Sequence, residues 1–274
     1  MNDTAIFAAL LKEGALSSEM LATGVTTLRK ANNSNPGLFS LSFFSLSIGM
    51  ERAAKIAIVL DYYLENQCNF PSDAHLKKFG HDVESLFAAV VTINRKRLKA
   101  GGNLPIPDGT IHAAIIRTLS EFGKATRYHN LDSLVQGRAA SLKNPERAWF
   151  ENVGKAIMQR HHKPNENAKD AARARSWHYM FASREALADQ GLDSPYVTTV
   201  GAAMADRQIT GLIQRHAQFY TLQIIRYFAE TLVNLQTAAH GSQLQTVPFF
   251  SELFGLFMND DAYFRSRRTW GVRR

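Results

Sequence analysis

Apolar residues recur three and four positions apart along almost the whole chain. Examples are "SEMLATGVTTL", "AAKIAIVLDYYL", "HDVESLFAAVVTI", "IHAAIIRTLSEF", "AWFENVGKAIM" and "YTLQIIRYFAETLVNL". That period predicts amphipathic α-helices. No run shows the sustained alternation bounded by hairpin turns that marks strands. The expected fold class is therefore all-α, a helical bundle. The boundaries agree with this pattern. Ser72 can cap a short helix over 73–79, and Asn144 followed by Pro145 and Glu146 marks a helix start. Ser194-Pro195 is another candidate start. Between 196 and 240 the pattern fits one long helix or two stacked ones, with Gly201 and Gly211 as the expected interruptions.

Two polar, Gly- or Pro-containing stretches break the pattern: "AGGNLPIPDG" (100–109) and "HHKPNENAKD" (161–170). They suggest two packed sub-bundles, 1–138 and 139–274, with a seam within 138–170, or a single continuous domain. The most apolar segment, "LFSLSFFSLSIGM", runs for about 13 residues before Glu51, Arg52 and Lys55, well short of the roughly 20 a membrane span needs. It predicts a buried core helix over 38–61, and no membrane partner. "FFSELFGLF" (249–257) is amphipathic, and would pack on the core or form a dimer face.

Composition narrows the chemistry. Of 274 residues, 45% are hydrophobic and 20% charged, enough to bury a sizeable core. The only cysteine is Cys68, so neither an internal disulfide nor a structural zinc held by several thiolates can form. Residues 1–12 lack a basic n-region and a cleavage site, so the expected location is cytoplasmic. No GxGxxG after a strand, no Walker pattern, no HExxH and no GxSxG occurs. His161 and His162 are adjacent and cannot both face one metal from a regular helix. No metal and no cofactor is expected.

The net charge is +8, and it is concentrated. "RSRRTWGVRR" at the end carries five arginines and no acid, and "RKRLK" at 95–99 carries four more cations. The rest of the chain is near neutral. Such patches attract phosphate backbones. Arg95, Lys96, Arg97, Lys99, Arg265, Arg267 and Arg268 are the candidate nucleic-acid contacts. The plainer alternative is a solvated helix face at 95–99 and a disordered tail.

Three short stretches hold candidate site residues. In "KKFGHDVE" (77–84), Gly80 suits the left-handed residue that ends one helix, and Asp82 suits the start of the next. His81 is less well explained: it is either a capping or packing residue or a group that titrates near neutral pH. Glu51, Arg52 and Lys55 interrupt an apolar helix, as a surface turn or as a polar site inside the bundle. In "GKATRYHNLDSL" (123–134), Arg127, His129, Asn130 and Asp132 cluster beside Tyr128, which could stack on a base. The alternative there is a helix junction capped by Thr126 or Asn130.

The pairing of "GMERAAKIAIVLDYYLEN" with the downstream "KKFGHDVESLF" resembles the HEPN families of helical bundles, over about residues 40–135. The resemblance implies a HEPN-like first half, often dimeric, tied to RNA cleavage or to defence and stress systems. RNA, a protein partner and a homodimer are then the expected associations. RNA-cutting members pair an Arg that stabilises charge on phosphate with a His that moves protons. The one match to their spacing, Arg173 and His178, lies outside the region of resemblance. Within it, Arg52, His81, Arg127 and His129 could converge on a phosphate. Two functions follow as expectations. One is an RNA-acting protein, down to a metal-independent endoribonuclease. The other is a non-catalytic interaction module that binds a protein or nucleic acid through its basic patches.

Overall fold

The computed structural model describes residues 2–32, 35–97, 105–127, 144–161 and 200–271. Among them the protein is all-α, with no strand. The first two helices, α1 (Asp3–Lys30) and α2 (Gly37–Glu65), form a long hairpin. Asn2 caps α1 by accepting from the Ala5 amide at 2.9 Å, and Arg29 and Lys30 sit in its last turn, where the helix dipole favours cations. α2 is the expected core helix, extended at both ends. Serines join it to α1. Ser42 donates to the Gly24 carbonyl at 2.9 Å, and Ser17 of α1 donates to the Gly49 carbonyl at 2.8 Å. The helices approach closely enough that a Cβ at Gly24 would lie 2.6 Å from Leu46 Cγ, and one at Gly49 would lie 2.8 Å from Leu21 Cγ.

Next come α3 (Asp73–Lys77), α4 (Val83–Arg97) and α5 (Thr110–Glu121), the last continued by a π-helical turn over Phe122–Thr126. Ser72 caps α3 as expected. Gly80 has φ of +53°, the left-handed conformation glycine adopts at no steric cost. α6 (Pro145–Trp149) starts at the Asn144 cap and leads through a π-helical turn, Phe150–Gly154, into α7 (Lys155–His161). α8 (Val200–Gly241) spans 42 residues. α9 (Phe250–Phe254), a 3₁₀ turn over Gly255–Phe257 and α10 (Asp261–Ser266) complete the described chain.

α8 is one helix, not two. Gly201 and Gly211 both lie inside it, and nothing stands within 4 Å of a Cβ at Gly211. An exposed glycine costs a helix about 1 kcal/mol. The buried row that follows, Ile213, Ala217, Ile224, Phe228, Leu232 and Leu235, stabilises the helix by far more.

One hydrophobic core joins residues from before and after position 138. It includes Leu21, Phe43, Met50, Leu86, Ile115, Trp149, Leu222, Phe228 and Phe254. Phe43 packs on Trp149 at 5.0 Å and on Phe122 at 5.6 Å between ring centroids. "FFSELFGLF" faces inward: Phe250, Phe254 and Phe257 are fully buried, while Phe249 remains exposed. No described helix is long and apolar enough to cross a membrane.

The basic tail is folded over Arg265 to Trp270, contrary to a disordered end. Trp270 is 3% exposed and packs on Phe257 and Phe264. Its amide donates to Thr26 Oγ1 at 2.7 Å. Gln218 of α8 donates both to the Val25 carbonyl and to the Arg268 carbonyl, each at 3.0 Å. These bonds fasten the tail across α1 and α8.

Candidate functional site

Of the expected site residues, His81 and Arg127 fall at the junction of α2, α4 and α5. Asp82 caps α4: its Oδ1 accepts from the Glu84 and Ser85 amides and from Ser120 Oγ at 2.6 Å. Lys124 ion-pairs with its Oδ2 at 3.1 Å. Burial alone would raise the Asp82 pKa. Hydrogen bonds from Ser120, Lys124 and Ser85 outweigh that and hold the carboxyl well below its ordinary range.

Beside this cap, His81 Nδ1 donates to Glu51 at 3.0 Å, and Lys55 donates to the same carboxylate at 2.7 Å. Burial pushes the Glu51 pKa up, but Lys55 and His81 reverse this, so its pKa lies below the ordinary value. Glu51 therefore stays ionised and orients the imidazole. Arg52 turns to the other side of α2 and ion-pairs with Glu13 of α1. Arg127 donates to the Gly123 carbonyl one turn back. A Cβ at Gly123 would lie 3.2 Å from the His81 carbonyl, so the start of α4 and the end of α5 are in close contact. His129 lies outside the described residues, as do Lys99, Arg173, His178 and Ser194. The structure thus brings His81 to Glu51, with Gly123 beside them, and engages Arg52 elsewhere.

The two basic patches differ. At 95–97, Lys96 and Arg97 both donate to the buried Asp61 at 2.7 Å, and both also face Glu65. Burial opposes the charge on Lys96, but its bonds to Asp61 and Glu65 raise its pKa above the ordinary value. These two cations join α4 to α2, while Arg95 is exposed. In the tail, Arg265 lies over the Phe219 ring at 3.7 Å, and Arg267 lies over Trp270 at 5.3 Å. The Arg265 and Arg268 side chains are exposed.

The tail arginines meet a group that no sequence motif singles out. His161, at the end of α7, stacks on His216 of α8 with centroids 3.8 Å apart and planes 9° apart. His161 Nε2 shares a 2.8 Å hydrogen bond with the Tyr220 hydroxyl. Burial lowers the His216 pKa to about 4, helped by His161, Arg215, Arg265 and Arg29. Burial lowers that of His161 as well, together with Arg160, Arg265 and Arg215. Arg29 feels Arg215 and Arg268. A neutral imidazole pair therefore sits among Arg29, Arg160, Arg215 and Arg265, with Arg268 beside Arg29. Among the described residues none of these five arginines forms an ion pair with a carboxylate.

A chain of polar groups flanks this face. Arg226 pairs with Asp261 at 3.0 Å, and Gln223 Nε2 donates to the other Asp261 oxygen at 2.9 Å. That fixes the Gln223 carbonyl as the acceptor for His112 Nε2–H at 2.8 Å. His112 Nδ1 is turned back toward Gly109 at the start of α5. The histidines come from α5, α7 and α8, so no local spacing reveals them. The one legible signal is His216 and Tyr220, one turn apart on one helix.

No family model matches the chain, and no curated protein or solved structure matches it significantly.

Proposed function

We propose that the protein binds single-stranded RNA, with the strand's phosphates lying across the arginine face formed by Arg29, Arg160, Arg215, Arg265 and Arg268. The observation that supports this is the convergence of Arg29, Arg160, Arg215 and Arg265, from α1, α7, α8 and the tail, around a stacked histidine pair, with Arg268 beside Arg29. Like charges placed together cost stability unless an anion neutralises them, and a polyphosphate backbone supplies that charge. Neutral imidazoles add donors and acceptors without further repulsion. The HEPN-like part of the proposal, over about residues 40–135, rests on the quoted motifs alone.

Fluorescence anisotropy with a short single-stranded RNA tests the reading. Arg215→Glu is expected to weaken binding about tenfold at low salt. It should also lower the slope of log affinity against log salt by about 0.7 for each phosphate that the variant leaves unneutralised. Arg95→Glu, in the other basic patch, should change little. Equal affinities and slopes for wild type and Arg215→Glu would refute the arginine face. Running the same mixtures on a gel in EDTA addresses the Glu51–His81 pair. A product that forms without metal and disappears in His81→Ala would move the reading from binder to endoribonuclease, since a carboxylate that orients an imidazole is an acid–base arrangement.

A further inference from the structure

A pocket of about 340 Å³ opens beside the arginine face, between the start of α5, α7 and Tyr220 of α8. This lies within the range of small-ligand sites, which begins near 300 Å³. It is continuous with the face. Arg160 lines the pocket and also acts on His161, and Tyr220 lines it while bonding His161.

The geometry points to an occupant, and the inference rests on the RNA reading above: we propose that this pocket takes one unpaired base of the bound strand. Ile111 and Ala156 offer apolar contact for the faces of a flat ring. The Gln159 amide can both donate and accept along the ring's edge. The aromatic walls are held in place: His112 by Gln223, and Tyr220 by His161 and by edge-to-face contact with the His112 ring at 5.0 Å. Rigid walls spare the ordering cost that a mobile site pays on binding.

Charge selects a base over a small anion. Among the described residues that line it, Arg160 is the one with a permanent charge, and the rest offer apolar or neutral polar contact. A free dianion would find only the one cation inside the pocket, whereas a neutral base finds apolar walls and polar edges. Its attached phosphate would remain at the rim, near Arg160. A paired base is unsuitable, because extracting it from a duplex costs a few kcal/mol.

The test uses the full chain and three labelled probes of equal length: single-stranded RNA, the same strand with every base replaced by an abasic sugar, and the RNA duplex. Wild type should bind the single strand about tenfold more tightly than the abasic strand, the lower part of the range for one buried base. Ala156→Phe, which fills the pocket without changing charge, should remove that preference and leave duplex affinity unchanged. If Ala156→Phe fails to fold, the wild-type comparison of based and abasic strands decides alone. Equal affinity for both, with Arg215→Glu weakening both, would overturn the base pocket and leave the arginine face standing. Absence of RNA binding in any form would overturn both.

Discussion

Truncating Trp270 to alanine is expected to cost about 3–5 kcal/mol, the range for emptying a buried large aromatic site. The indole is 3% exposed and lies among Phe257, Tyr263 and Phe264, with centroids 5.5 to 6.0 Å away. Its amide and carbonyl both meet Thr26 Oγ1, so the ring anchors the contact of the tail with α1. Among the described residues its Nε1 has no hydrogen-bond partner. Trp270→Phe therefore loses volume but no bond, and should cost only about 1–2 kcal/mol. Urea unfolding of the two variants against wild type checks both values. An unchanged midpoint for Trp270→Ala would mean that the tail does not dock. Deleting 265–274 would remove this core residue together with the charges, so a failure to bind RNA after such a deletion would not single out the arginines. Point reversals at Arg215 and Arg268 separate the two effects.

What was legible in the sequence was mostly local. Ser72, Gly80, Asp82 and Asn144 mark helix ends through bonds and backbone angles that span a few residues, and each does so in the structure. The apolar period identified the helices for the same reason, but left 249–257 between packing on the core and a dimer face. Three features depended on distant partners. Gly211 looked like an interruption because its local cost was visible, while the packing that offsets it was not. The five arginines of the tail concealed Trp270, whose backbone partner Thr26 is more than 200 positions away. Lys96 and Arg97 read as a free basic patch because Asp61 and Glu65 lie a helix away.

The candidate sites divide along the same line. Glu51 and Lys55 are four apart and were legible as a pair, and His81 joins them through the junction of α3 and α4. The histidine face requires α5, α7 and α8 to pack side by side, and only tertiary structure brings His112, His161 and His216 together. Its electrostatic character is also collective. Each arginine is ordinary in sequence; burial lowers the pKa values of the histidines first, and the arginines add to it.

Replacing Asp82 with alanine is expected to cost about 2–3 kcal/mol at neutral pH. Loss of a helix N-cap accounts for about 1 kcal/mol of this. Loss of the charge-assisted bond from Ser120 accounts for much of the rest, since that hydroxyl is buried and would be left without its acceptor. The partly exposed Lys124 pair adds little. The effect should depend on pH in one direction. The folded-state pKa of Asp82 lies below the unfolded value of about 3.9, so its contribution is complete above about pH 5. As the pH falls through 4, the unfolded chain takes up the proton first, and the contribution declines. Asp82→Ala has no such group to titrate, so the stability gap between it and wild type should narrow by about 1 kcal/mol at pH 3. Urea unfolding of both proteins at pH 7 and pH 3 measures that difference. A gap equal at the two values would mean that Asp82 acts through the shape of its hydrogen bonds and not through its charge.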